Sequence, residues 1–161
     1  MKKIPTSWWI IGIVIVITGL LVWGNVNVRN ERSSRTNREV ALLCTTDMAT
    51  QFHIHPILKI IANGQEKAIP ANLGIQPTCM TSLHTHDSTG VIHVESPEKR
   101  DFTLSDFFAV WKQPFNKDQI LSYTADVSHQ IRVTVNGQTV DTYENTILRD
   151  KDQIAIKYGS K

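Results

Sequence analysis

The sequence predicts an α+β protein, a mixed or antiparallel sheet of β-hairpins with one main helix, preceded by a single N-terminal transmembrane helix. Three observations predict it. Residues 7–23 carry no charge, the pairs Asn63-Gly64 and Asn136-Gly137 each sit between alternating flanks, and residues 103–111 repeat apolar side chains at helical spacing. A chain of 161 residues has room for one domain with a hydrophobic core, and is too short for a two-domain enzyme with a nucleotide-binding half.

The elements follow in order. Residues 1–6, with Lys2 and Lys3, are expected as a cytoplasmic N-terminus, and residues 7–23 as a transmembrane signal anchor. At 1.5 Å per residue that run covers about 26 Å, close to the thickness of a bilayer hydrocarbon core. Trp8 and Trp9 at one end and Trp23 at the other suit the two headgroup interfaces. A buried soluble helix would show a polar face, and this run has none. A cleaved signal peptide fits less well, because Val22, Trp23 and Asn25 stand where small residues should flank the cut. Residues 24–40 read as a polar stalk, in part a frayed continuation of the anchor helix, and residues 41–161 as an extracytoplasmic α+β domain. Up to Glu39 six basic residues face two acidic ones, and the remainder holds eleven against thirteen. An acidic domain without a basic stripe excludes nucleic acid as a partner held by counterion release. Charge alone does not orient the anchor, since arginines follow it as closely as lysines precede it. The cysteine and histidine content favours the N-terminus inside and the bulk of the chain outside.

Within the domain, residues 52–61 lead into Asn63-Gly64, and 65–69 return. Residues 83–86, a turn at Asp87-Ser88-Thr89-Gly90 and residues 91–95 form a second hairpin. Residues 103–111 form the core helix, with Thr103 as its cap and Asp106 near the positive end of the helix dipole. Residues 117–123 fit a short helix or a strand. A third hairpin spans 131–143 around Asn136-Gly137, and 153–158 alternates as a final strand.

Histidine is the sharpest chemical signal. His53, His55, His84, His86 and His93 are five of the six histidines, and four of them form two His-x-His pairs. On a strand, residues i and i+2 share a face, so each pair presents two imidazoles side by side. Strands roughly 4.8 Å apart can join two such pairs, and the 87–90 turn returns His93 towards them. Nitrogen-only donors of this kind suit zinc or copper. Histidines on a strand surface with no ligand are the plainer alternative, and two pairs flanking one hairpin favour a metal. Asp87 is best explained by turn chemistry, and is otherwise a ligand or an acceptor orienting an imidazole. Glu95 shares strand parity with His93, and fits a supporting partner, a base for a metal-bound water, or an exposed carboxylate equally well. His129 stands apart and reads as structural or solvent-exposed.

Cys44 and Cys79 are the only cysteines. Outside the cytoplasm they read as a disulfide, whose loop of about 35 residues contributes roughly 3–4 kcal/mol. As thiolate ligands they would join Met48 and Met80 in soft Cu(I) binding. The missing Cys-x-x-Cys spacing favours the disulfide, and the methionines then read as core filler.

The series Cys44, His53-Ile54-His55, Asn63-Gly64, Ile69-Pro70, Cys79, Leu83-His84-Thr85-His86-Asp87, Gly90, Ile92-His93, Glu95-Ser96, Phe102-Thr103-Leu104 and Phe107-Phe108 resembles small prokaryotic membrane-anchored proteins with an HxH, LHTHD and IHxES pattern. The similarity covers about residues 41–158. It implies a single-pass anchor, an extracytoplasmic domain and a metal site. Three functions are therefore expected in order. The first is a membrane-tethered metal-binding module, copper ahead of zinc, that captures an ion or delivers it to a membrane protein partner. The second is a small hydrolase or oxidase with a histidine-held metal, in which Glu95 or Asp87 handles protons. The third is a metal-free interaction module whose imidazoles respond to pH.

Overall fold

The computed structural model describes residues 6–46 and 50–161. Lys2, Lys3 and Met48 lie outside the described residues, so the expectations resting on them stay at the level of sequence. The described chain divides between Thr36 and Asn37 into two compact units.

The first unit holds helix α1, Thr6–Ser34, of 29 residues. Its stretch Trp8–Glu31 is long and apolar enough to cross a membrane, and none of it is buried. The helix does not stop at Trp23. It runs on through residues expected as a stalk, because no proline interrupts it. The polar side chains near and beyond the apolar run bond back onto their own helix: Asn25 Nδ2 donates to the Leu21 carbonyl at 2.9 Å, and Ser34 Oγ to that of Glu31 at 2.9 Å.

The second unit opens at Asn37 rather than at 41. Helix α2, Asn37–Leu42, buries Ala41. Arg38 Nε donates to Asp106 Oδ1 at 2.9 Å, and Asn37 Nδ2 to the Asp101 carbonyl at 2.9 Å. There follow β1 (Cys44–Thr45), β2 (Phe52–Ile54), β3 (Ile57–Ala62), β4 (Gln65–Lys67), β5 (Ile75–Gln76), β6 (Cys79–Thr81), β7 (Leu83–His84), β8 (His93–Ser96), α3 (Leu104–Trp111), β9 (Gln119–Ile120), β10 (Tyr123–Thr124), β11 (His129–Val135), β12 (Gln138–Val140), a 3-10 turn (Tyr143–Asn145) and β13 (Gln153–Ser160).

The largest sheet has the order β12-β11-β13-β3-β4. Its two hairpins turn on the Asn-Gly pairs, with φ of 52° and 77° at Asn63 and Gly64, and 53° and 82° at Asn136 and Gly137. Positive φ at both central residues matches the right-handed twist of the flanking strands. The return arms are shorter than their alternation suggests. The first ends at Lys67, and the other at Val140, with Tyr143 in the 3-10 turn instead. Strand β13 pairs parallel with β3, joining the end of the chain to its first long strand, while the other pairings are antiparallel. Leu58, Ile60, Ile131, Val133, Ile154 and Ile156 point from this sheet into the core.

Helix α3 supplies Leu104, Phe107 and Phe108 to the same core. Asp106 accepts the Thr103 N–H at 3.0 Å, fixing the first turn. Lys112, at φ 59°, ends the helix in the left-handed region. Residues 117–123 resolve as neither a helix nor one strand but as most of a short hairpin: β9 and β10 pair antiparallel, and Leu121, at φ 52°, lies in the turn between Ile120 and Tyr123. Two small three-stranded sheets complete the unit, β1-β6-β5 and β2-β8-β7. The second carries the histidines.

Candidate metal centre

Strand β8 lies between β2 and β7. His84 stands directly opposite His93, and His53 directly opposite Glu95. Opposed residues in an antiparallel pair share a face, and so do residues two apart. His53, His84, His93 and Glu95 therefore project from one face, with His55 and His86 continuing the alternation just past the strand ends. Ile54, Leu83 and Val94 fill the other face and belong to the buried core. Apolar packing on one side thus presents the imidazoles on the other.

The five rings converge. His53 and His55 centroids are 4.4 Å apart, those of His84 and His86 4.9 Å, and His93 lies 4.7 Å from His55 and 4.5 Å from His86. Two donor sets result, His53-His55-His93 and His84-His86-His93, in each of which ligand atoms lie within 4.8 Å of one another. Either could close around one ion at the 2.0–2.1 Å typical of imidazole nitrogen on zinc.

The environment prepares the nitrogens unequally. His84 is fully buried, and its Nδ1 lies 3.1 Å from the Thr81 carbonyl. A carbonyl only accepts, so the proton sits on Nδ1 and Nε2 keeps its lone pair. That Nε2, and Nδ1 of His93, are buried with no hydrogen-bond partner. Burial pushes the His84 imidazole below its ordinary pKa, against the Thr81 bond, which raises it. His93 is lowered to about 4, first by burial and then by the neighbouring His86, His55 and His84. Both stay neutral at physiological pH, the form a metal requires. On the open side His53 and His55 are 44% and 42% exposed. Glu95 Oε1 lies 3.1 Å from His53 Nε2.

Several supports carry no local signal in the sequence. Asp150 accepts the His55 backbone N–H at 3.0 Å, across 95 positions. Thr85, fully buried between His84 and His86, donates to the Pro70 carbonyl at 2.8 Å and accepts the Leu73 N–H at 3.1 Å. Gly90 takes φ 87°, and a Cβ there would lie 2.2 Å from the Leu58 carbonyl oxygen. Asp87 does serve the turn: Oδ1 accepts the Thr89 N–H at 2.9 Å and the Thr89 hydroxyl at 2.5 Å. These bonds hold its carboxyl below the usual range. His129 stands apart, bonded to Asp126 at 3.0 Å and stacked on Tyr158.

Cys44 and Cys79 form a disulfide, with Cα atoms 5.4 Å apart, so thiolate ligation is closed to them. Met80 lies on β6 opposite Thr45 and Ile75. Set against known protein families, curated proteins and solved structures, the chain matches none.

Proposed function

We propose that this is a membrane-tethered, extracytoplasmic metal-binding protein that uses His53, His55, His84, His86 and His93 to capture an ion or deliver it to a membrane protein partner. The observation that carries the reading is the convergence of the five imidazoles on one sheet face, with His84 Nε2 and His93 Nδ1 buried and unpartnered. A buried nitrogen lone pair without a donor costs free energy, and an ion supplies the missing partner. The donor set is all nitrogen, which suits Cu(II) or zinc, and the Irving–Williams order puts copper ahead. The apolar length of α1 supports anchoring, and the disulfide supports an oxidising compartment. The metalloenzyme reading is weaker, because both carboxylates that could move protons are engaged, Glu95 by His53 and Asp87 by Thr89.

The test uses the full chain in detergent, purified without chelator or polyhistidine tag, with bound metals measured and Cu(II) and zinc titrated. At least one near-stoichiometric ion is expected, with one equivalent lost in a folded His84→Ala/His86→Ala variant. Binding no tighter than micromolar overturns the reading and leaves a histidine-rich interaction module.

A further inference from the structure

His93 belongs to both donor sets, and the two sets share nothing else. Its strand is the middle one of three, so His84 and His86 approach from the β7 side and His53 and His55 from the β2 side. Every one of these four rings contacts the His93 ring, at centroid distances of 4.5 to 6.0 Å. Within each pair the rings also touch each other. Each pair, completed by His93, is a separate three-nitrogen set.

We propose that the face holds two ions, and that His93 bridges them, giving one ring nitrogen to the ion held by His84 and His86 and the other to the ion held by His53 and His55. The proposal rests on the metal-binding reading above and goes beyond it in number and linkage. An imidazole has two nitrogens that point apart, and a neutral ring offers a lone pair on one of them. When the second ion attaches, the remaining N–H proton passes to solvent and the ring becomes a bridging imidazolate. The two positions differ in kind. On one side His84 is buried, with its nitrogen oriented by the Thr81 carbonyl, while His86 beside it is exposed. The other side is open to solvent, and a carboxylate on His53 can compensate positive charge there. The position anchored by buried His84 suits the more tightly held ion, and the other the more readily exchanged one.

The experiment titrates Cu(II) into the full chain in detergent, following bound metal and the electron paramagnetic resonance signal together. Two ions per chain are expected, with a signal that grows through the first equivalent and falls through the second, because a shared imidazolate couples the two unpaired electrons. His53→Ala/His55→Ala and His84→Ala/His86→Ala, each checked by circular dichroism, are expected to hold one ion each with an undiminished signal. Should either variant fail to fold, the wild-type titration decides alone. Two ions with additive signals, or saturation at one, would overturn the bridge and leave metal binding intact. Failure to bind any ion would overturn both.

Discussion

At the scale of single residues, the threonine between two histidines does as much for the site as its neighbours. Thr85 Oγ1 donates to the Pro70 carbonyl and accepts the Leu73 N–H, clamping residues 70–73 against the strand that carries His84. Thr85→Val keeps the shape and leaves two backbone groups unpaired. It is expected to cost about 1–3 kcal/mol by urea denaturation, with metal affinity reduced and Thr85→Ser largely restoring both. The imidazoles set a second residue-scale expectation, in the metal-free protein. His93 stays neutral down to about pH 4 when folded, whereas the unfolded ring takes a proton near its ordinary 6.5. The unfolded state therefore binds more protons between those values, and stability falls as pH drops through that window. Chelator-treated protein should show a lower urea midpoint near pH 5 than near pH 7.5, and His93→Gln should flatten the difference. Strand parity made the histidine pairs legible in the sequence. Asp150 was not, since a bond spanning 95 positions leaves no local pattern.

At the scale of elements, turn chemistry was the legible part and sheet order the illegible part. Asn-Gly pairs dictate their own hairpins through positive φ, so β3-β4 and β11-β12 follow from a few adjacent residues. The parallel pairing of β13 with β3 joins Ile156 to Ile60 and depends on packing that no short window contains. The 84–93 connection sits between these cases. Its turn is readable, but the reason it needs glycine at 90 is tertiary. Leu58 N–H donates to the Gly90 carbonyl at 2.8 Å, and the Leu58 oxygen occupies the space a Cβ would need. Gly137 has a comparable φ of 82° with open space around it. Gly137→Ala should therefore cost only the left-handed strain, about 1–2 kcal/mol. Gly90→Ala adds a backbone clash, and should cost more and weaken metal binding by shifting the loop between His86 and His93. Equal urea midpoints for the two variants would show that the close approach at Gly90 is not rigid.

At the scale of the whole molecule, α1 and the disulfide are independent features that bear on the chain's surroundings. A 29-residue helix whose apolar side chains are exposed, Trp8 and Trp23 at 68% and 66%, is long and apolar enough to cross a membrane. The Cys44–Cys79 bond is of a kind that persists in oxidising surroundings. It also bears on the site. The bond spans 35 positions and encloses β2, β3, β4 and β5, so His53 and His55 lie inside its loop while His84, His86 and His93 follow it. Closing that loop restricts the unfolded chain by about 3–4 kcal/mol in the chain-entropy account. Reduction, or Cys44→Ala/Cys79→Ala, should lower the urea midpoint by the corresponding amount. Added metal should recover part of the loss, since an ion binding only the folded state at a hundredfold excess over its Kd contributes about 2.7 kcal/mol. A reduced protein with an unchanged midpoint would mean that the β1-β6 pairing and α2 hold this end of the domain without the covalent bond.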